Sequence, residues 1–237
     1  MPQMFLDRTV PITLDEILLA EGTAVLVVDA QNDFCSVGGR SHGRGTDISE
    51  IVAVLPHIHA LLETARACGV AVIYIQNTVF ATGVLNGLPD LARRIGAWGR
   101  DNPLVTLSGS WGHAIVDVLA PHPGDLVVQK FRQSGFVGTN LEMVLRANGW
   151  RAVLVCGVET HACVEATARD AMGRDFAVVL VEDCVAAAKR SLHDASLTVM
   201  RALLPQGWVT DLATVQSVLA GAQAPTRERA AVARQNQ

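Results

Sequence analysis

The sequence predicts a doubly wound α/β fold, with helices on both faces of a mostly parallel sheet. One observation is a series of short runs rich in Val, Ile and Leu that are apolar throughout, as expected of parallel strands covered on both faces. The other is that amphipathic segments with a period of about 3.6 residues separate these runs. The predicted strands span residues 24–29, 70–76, 125–130, 152–157, 176–183 and a shorter edge strand at 207–209.

The segments between these strands carry helix signals. Thr13, followed by Glu16 three residues later, has the pattern of a capping box that opens a short N-terminal helix. In the 51–65 segment, Pro56 lacks a backbone N–H, so we expect the regular helix to start near it, with the proline in the first turn. Further helices are expected after a second capping-box pattern at 139–142, at 161–173 and at 191–204.

The chain length and composition are those of one domain spanning residues 1–237, since 50% hydrophobic residues are enough to build a sizeable core. We expect a short helical extension at 1–22 and a tail at 221–237 that is mobile or used in oligomer contacts. Residues 80–123 are predicted to be irregular, with one helix-like piece near 115–119. A long irregular stretch indicates either a functional loop or missed elements.

Charge and cysteine content exclude several classes of protein. The formal net charge of −4 argues against a nucleic-acid or membrane partner, and arginine clusters such as Arg93 and Arg94 are interpreted as solvated surface. No apolar run approaches the roughly 18 residues of a membrane span, and no signal peptide is recognised. The five cysteines are irregularly spaced, which favours reduced thiols and a cytoplasmic location.

Three polar residues stand at or just beyond predicted strand ends, where open α/β sheets bind their ligands. They are Asp29, Lys130 and Cys163. A helix N-terminus and the Lys130 charge would lower the pKa of the thiol, and Asp29 could accept its proton. Each residue alone has an inert interpretation, because cysteines are often buried core and lysines often reach to the surface. From these residues alone, the catalytic and the inert interpretations are about equally balanced.

Three segments resemble motifs of the isochorismatase-like cysteine hydrolases, in matching order over residues 23–209. They are DAQNDF at 29–34, KFRQSGF at 130–136 and GVETHACV at 157–164. The resemblance implies a Rossmann-like sheet of about six strands and an Asp29, Lys130, Cys163 catalytic triad. It also implies a cis peptide between Val158 and Glu159, which would aim the backbone N–H groups of Glu159 and Cys163 at an oxyanion.

The resemblance further implies a small-molecule substrate, no cofactor and a homodimer or homotetramer. The QNTVF stretch at 76–80 lacks the Asp-x-His pattern of metal-binding nicotinamidases, so no metal is expected. Cys163 counts against the vinyl-ether branch. The ureide branch remains: hydrolysis of a C–N bond of a biuret, triuret or ureidoacrylate type of compound through a Cys thioester, with release of ammonia. A nicotinamidase-like amidase, an isochorismatase and a non-catalytic family member are the alternatives.

Four residues are predicted to contact the substrate. Phe34 matches a pocket phenylalanine of biuret hydrolases, and Gln206 stands where those enzymes place a substrate-binding glutamine. Asn77, at the end of the second predicted strand, is a candidate pocket amide; Asn77 and Gln206 could equally be turn residues. Glu159 replaces the small residue, apolar residue or threonine common at its position, so it either contacts the substrate or points to solvent.

Overall fold

A six-stranded parallel sheet forms the centre of the molecule. The computed structural model describes residues 3–19, 22–100 and 104–223. An antiparallel hairpin of β1 (Gln3–Phe5) and β2 (Arg8–Val10) precedes the sheet. The sheet strands are β3 (Thr23–Val28), β4 (Ala71–Asn77), β5 (Leu126–Lys130), β6 (Ala152–Val158), β7 (Ala177–Ala186) and β8 (Val209–Thr210).

The strand order is β5-β4-β3-β6-β7-β8, and every neighbouring pair is parallel. The chain first winds from β3 towards β5 and then returns to β6 beside β3, which places a topological switch point between β3 and β6. This architecture confirms the predicted doubly wound sheet of six strands.

Helices cover both faces of the sheet. They are α1 (Leu14–Ile17), α2 (Asn32–Cys35), α3 (Arg40–Gly43), α4 (Ser49–Ala67), α5 (Leu88–Trp98), α6 (Leu141–Ala147), α7 (Glu165–Met172), α8 (Arg190–Leu203) and α9 (Leu212–Gln223). Within the described residues, none of them is long and apolar enough to cross a membrane.

The core has two layers because successive side chains of a strand point to opposite faces. On β3, Val25 and Val27 pack with residues of α4 and α9, whereas Leu26 and Val28 pack with residues of α6, α7 and α8. All residues of β3 and β6 are buried, which accounts for their uninterrupted apolar sequence.

The described part of the N-terminal extension is mostly not helical. The predicted capping box is confirmed, since the Glu16 carboxylate accepts hydrogen bonds from the N–H groups of Ile12 and Thr13. The helix that it opens is only α1, and a hairpin stands before it. Leu6 and Asp7, with φ values of 48° and 58°, form the two-residue turn that joins β1 to β2.

The predicted start of α4 near Pro56 is wrong, because the helix begins at Ser49 and contains the proline in its interior. An interior proline costs about 3 kcal/mol. The same helix buries an apolar face that includes Ile51, Leu55 and Ile58. Burying each such side chain contributes about 1.5–3 kcal/mol, so packing outweighs the local cost.

The capping box predicted at 139–142 does not form. Thr139 does accept a hydrogen bond from the Leu141 N–H, at 3.2 Å, but the Glu142 carboxylate pairs with Arg146 and Arg174 instead of reaching back to the helix start. Two arginines within reach offer the carboxylate stronger, charge-assisted bonds than one backbone N–H would.

Four helices occur where the sequence did not predict them. The short α2 and α3 follow β3. α5 lies inside the 80–123 segment, and α9 covers residues 212–223, so it includes the start of the tail expected at 221–237. Residues 224–237 of that tail lie outside the described residues.

Candidate active site

Asp29, Lys130 and Cys163 meet at the carboxyl edge of the sheet. Asp29 directly follows β3, Lys130 is the last residue of β5, and Cys163 lies in a π-helical turn (Thr160–Val164) after β6. Since β4 separates β3 from β5, a side chain as long as lysine is needed to reach from β5 to the switch point. The three predicted triad residues are thus brought together.

The Lys130 ammonium has three hydrogen-bond partners. Its Nζ lies 2.9 Å from Asp29 Oδ2, 3.1 Å from Cys163 Sγ and 3.0 Å from the backbone oxygen of Arg132. An ammonium has three N–H donors, so this completely buried group is fully satisfied. The other carboxylate oxygen, Asp29 Oδ1, accepts the Asn77 N–H at 3.1 Å.

Burial controls the protonation of this cluster at rest. Burial raises the pKa of Asp29, and the Lys130 ammonium offsets only part of this rise. Burial alone would lower the pKa of Lys130, but the Asp29 carboxylate and the Cys163 sulfur, both hydrogen-bonded to the ammonium, outweigh it and raise that pKa. Burial and the Asp29 charge raise the pKa of the Cys163 thiol to about 12, against the opposing effect of Lys130. The resting thiol is therefore protonated.

The expectation of a lowered thiol pKa is wrong for this chain, because the pKa of Cys163 is raised overall. Cys163 lies in the π-helical turn that leads directly into α7, near a helix start as expected. The favourable field of Lys130 is present, but it does not compensate for burial and for the Asp29 carboxylate. A base must therefore remove the thiol proton during any reaction that uses the sulfur as a nucleophile.

A cavity of about 380 Å³ opens over the triad, and Lys130 and Cys163 line it. Phe34, Asn77 and Glu159, three of the predicted substrate contacts, also line this cavity. A larger groove of about 610 Å³ lies between α4 and α8, but none of the triad residues lines it. The chemistry therefore assigns the site to the smaller cavity.

Gln206 does not belong to this cavity. It is exposed in the turn that precedes β8, at the amino end of that strand, whereas the triad stands at the carboxyl edge of the sheet. Gln206 therefore does not line this cavity, and the geometry favours its alternative interpretation as a surface turn residue.

Several cationic side chains of the cavity wall were missed in the sequence. Arg94 was interpreted as solvated surface, but it is only 2% exposed and its Nε donates to Asp90 Oδ2 at 2.8 Å. The sequence signal that could have predicted this burial is the amphipathic pattern of α5, which places Arg94 on the buried face of the helix. The positively charged residues of the wall, apart from the triad lysine, are Arg44, Arg93, Arg94, Arg132 and Lys189.

Two further residues of the DAQNDF segment hold the cavity wall in place. The side-chain amide of Gln31 donates to the backbone oxygens of Asn77 and His113, at 2.9 and 2.7 Å. Asp33 Oδ2 accepts the Thr106 N–H at 2.6 Å. Both side chains hydrogen-bond the loop between α5 and β5 and hold it against the site. The spacing of these residues in the DAQNDF segment alone could not reveal this role.

The turn that carries Cys163 is shaped by its first residues. The peptide between Val158 and Glu159 is cis, as predicted. Gly157 has a φ of 114°, and a Cβ atom there would lie 2.1 Å from the backbone oxygen of Val28. Only glycine permits β6 to approach β3 so closely in this conformation. Thr160 Oγ1 is fixed by a 2.9 Å hydrogen bond to His193 Nδ1 of α8.

Within residues 3–19, 22–100 and 104–223, no group of three or more His, Cys, Asp or Glu side chains is arranged to hold a metal ion. The fold and the site define the class of protein: an α/β protein with a buried carboxylate, ammonium and thiol at the switch point of a parallel sheet. The profile of the isochorismatase domain matches residues 23–214, and the chain belongs to this family.

Relatives with assigned names are similar over most of the chain. Ureidoacrylate amidohydrolase RutB of Azorhizobium caulinodans is 37% identical over 221 residues, which cover 88% of this chain and 94% of that protein. The RutB of Methylobacterium radiotolerans is 36% identical over 225 residues, covering 90% and 83%. A solved cysteine hydrolase of Pseudomonas syringae pv. phaseolicola 1448A aligns with a TM-score of 0.76 at 28% identity, over 89% of this chain and 97% of that one.

These similarities confirm the predicted family. They also confirm an enzyme of the hydrolase class acting on non-peptide C–N bonds, since both relatives are named amidohydrolases.

Proposed function

We propose that this enzyme hydrolyses a C–N bond of a ureidoacrylate-type ureide through a thioester on Cys163. The observation that carries the proposal is the Lys130 ammonium, which joins the Asp29 carboxylate to the Cys163 sulfur beneath a cavity of about 380 Å³. A base, a cation and a nucleophile in mutual contact are the parts that a covalent amidohydrolase requires.

The first half-reaction forms the thioester. Asp29 takes the proton of Cys163, and the resulting thiolate is stabilised by Lys130 and attacks the ureide carbonyl carbon. The backbone N–H groups of Glu159 and Cys163 stabilise the oxyanion, an effect that is often worth about 3 kcal/mol for each donor. The C–N bond then breaks, and Asp29 returns its proton to the departing ammonia or amine.

The second half-reaction restores the enzyme. Water attacks the thioester carbonyl while Asp29 takes one of its protons. The C–S bond breaks, the product leaves as a carbamic acid that keeps the second ureide nitrogen, and the sulfur of Cys163 recovers its proton from Asp29. Lys130 stays a protonated ammonium throughout. It compensates the negative charge, which moves between the Asp29 carboxylate and the Cys163 sulfur.

The charge of the cavity favours a substrate with a carboxylate over biuret and triuret, which are neutral. Arg44, Arg132 and Lys189 are among the cations of its wall, and Glu159 is the one acidic side chain among the described lining residues. The relatives named as ureidoacrylate amidohydrolases support the same substrate class. Gln206, the feature that had pointed to biuret, lies outside the cavity.

A substrate panel tests the proposal. Purified enzyme is given ureidoacrylate, biuret, triuret, nicotinamide and isochorismate, and product release is followed for each. We expect ureidoacrylate to have the highest kcat/KM, and Cys163→Ser to abolish its turnover while the protein stays folded by circular dichroism. Turnover of nicotinamide or isochorismate with none of ureidoacrylate would overturn the proposal, and so would near-normal activity of Cys163→Ser.

We also propose that the chain is a single domain that acts in the cytoplasm as a homodimer or homotetramer. All five cysteines are free thiols, as is usual in reducing compartments. Light scattering on purified protein measures the oligomeric state, and a monomer at micromolar concentration would contradict this part of the proposal.

A further inference from the structure

Glu159 and His161, two residues of the turn that carries Cys163, both line the active-site cavity. The Glu159 side chain is only 25% exposed, so it does not simply point to solvent. Its Oε2 accepts the backbone N–H of Ala188 at 3.0 Å, and this bond fixes the carboxylate against the loop that follows β7. The second oxygen, Oε1, accepts no hydrogen bond from the described part of the chain.

The His161 ring stands beside this carboxylate. Its Nδ1 is buried, has no hydrogen-bond partner among the described residues, and lies 4.0 Å from Glu159 Oε2. Burial lowers the pKa of His161, so the ring is neutral at pH 7 and carries a proton on one nitrogen only. The nearby carboxylate favours the proton on Nδ1, which leaves Nε2 as a hydrogen-bond acceptor.

The exposed part of the ring faces the cavity. The side chain is 32% exposed although Nδ1 is buried, so the accessible edge is the one that carries Nε2. The cavity wall therefore presents two accessible acceptors, Glu159 Oε1 and His161 Nε2, beside the nucleophile. The arginines and Lys189 of the same wall are donors. A carboxylate is recognised by such donors, whereas an N–H group requires acceptors.

We infer that Glu159 and His161 form a specificity pair that binds the N–H group of the second nitrogen of a ureide, the one that stays on the carbonyl carbon while the other leaves. This inference rests on the proposed function. A ureide carries that nitrogen and a simple amide does not, so the pair selects ureides over amides. An acceptor that the bound substrate removes from water without donating to it is costly, which makes this kind of discrimination strong.

The test compares ureidoacrylate with two carbon analogues of similar shape. In one analogue CH₂ replaces the internal N–H, and in the other CH₃ replaces the terminal NH₂. If the terminal nitrogen leaves, the CH₂ analogue keeps the scissile amide and lacks only the second nitrogen; if the internal nitrogen leaves, the CH₃ analogue does. The readout is the ratio of kcat/KM for the ureide to kcat/KM for that analogue. A purely structural change would not alter this ratio.

The variants remove the two acceptors separately. Glu159→Gln keeps an oxygen for the Ala188 N–H and places an NH₂ group where Oε1 stood, while His161→Phe keeps a ring without an acceptor. We expect each to lower the ratio at least tenfold. His161→Gln retains an acceptor oxygen and should lose less than His161→Phe. Glu142→Gln makes the same chemical change at a glutamate of α6 outside the cavity and should keep the wild-type ratio.

Two outcomes would overturn the inference, and they differ in what they say of the proposed function. If the wild type hydrolyses the ureide but the ratio is unchanged in Glu159→Gln and His161→Phe, the pair does not select ureides and the proposed function stands. If the wild type hydrolyses the amide analogues and no ureide, both fail. A tenfold fall in both variants, with the ratio of Glu142→Gln unchanged, supports the inference.

Discussion

The ammonium of Lys130 lies 3.1 Å from the sulfur of Cys163 at the switch point of the sheet. The contact stabilises the thiolate more than the thiol, because only the thiolate carries a charge that the ammonium can attract. Its effect is opposed by the Asp29 carboxylate, which lies 2.9 Å from the same ammonium. The reactivity of Cys163 is therefore set by burial and by the balance of two neighbouring charges, and each charge can be removed separately.

Removal of Asp29 should separate thiol reactivity from catalysis. The carboxylate raises the pKa of Cys163, so in Asp29→Asn that pKa falls and more thiolate is present at a given pH. We expect alkylation of Cys163 by iodoacetamide to shift to lower pH in this variant, while hydrolysis is lost because the base is missing. Mass spectrometry of the Cys163 peptide measures the first effect. Alkylation that shifts to higher pH would contradict the assigned charge balance.

Removal of Lys130 should have the opposite effect on the thiol. Lys130→Met leaves a side chain of similar length without the ammonium that lowers the pKa of Cys163. We expect alkylation to shift to higher pH and kcat to fall at least about a hundredfold, since the thiolate loses its stabilising charge. Alkylation in Cys163→Ser gives the background from the four remaining cysteines, all of which are buried. If the pH dependence of Cys163 alkylation in Lys130→Met matched that of the wild type, this would contradict the contact between Lys130 and Cys163.

The acid limb of the pH–rate profile should report Asp29. The carboxylate must be ionised to accept the thiol proton, and burial raises its pKa above the ordinary value of 3.8. Activity is therefore lost as pH falls through this raised pKa, so the half-maximal point of kcat/KM lies above 3.8 while the protein is still folded. The measurement is kcat/KM against pH, with circular dichroism at each pH. An acid limb at the ordinary aspartate value would show that burial does not control this base.

Gly157 should be intolerant of any side chain. A Cβ atom there would lie 2.1 Å from the Val28 backbone oxygen, and the φ of 114° is unfavourable for alanine. We expect Gly157→Ala to lower the free energy of unfolding by about 3 kcal/mol or more, measured by urea denaturation. The control is Gly96→Ala in α5, where nothing lies within 4 Å, and which should be neutral or stabilising by about 1 kcal/mol. Equal stability of the two variants would contradict the close approach of β6 to β3.

The sheet and the convergence of Asp29, Lys130 and Cys163 at its edge could be predicted from the sequence because their signals are local. Uninterrupted apolar runs such as β3 and β6 indicate parallel strands with both faces covered, and strand ends locate the residues of the carboxyl edge. Knowing only that Asp29, Lys130 and Cys163 stand at or just beyond three strand ends was enough to place them together. The resemblance to a family then supplied the cis peptide at Val158, which no local pattern indicates.

The remaining features depend on tertiary contacts. Pro56 was expected near the start of a helix, yet the packing of Ile51, Leu55 and Ile58 carries α4 through it. Arg94 looked like a surface charge because its partner Asp90 and the cavity beside it become visible only when α5 is placed. The pKa of Cys163 was expected to be low from its position near a helix, whereas burial, which no sequence pattern gives directly, raises it.

The most direct test of the account is to trap the covalent intermediate. The enzyme is mixed with ureidoacrylate, quenched in acid within a few turnovers, digested and analysed by mass spectrometry. We predict an acyl adduct on the peptide that carries Cys163, absent from Cys163→Ser and lost on treatment with hydroxylamine. Two results would contradict a thioester mechanism. One is a burst of product in acid-quenched samples, with steady turnover of ureidoacrylate, but no adduct on Cys163. The other is an adduct on a different residue.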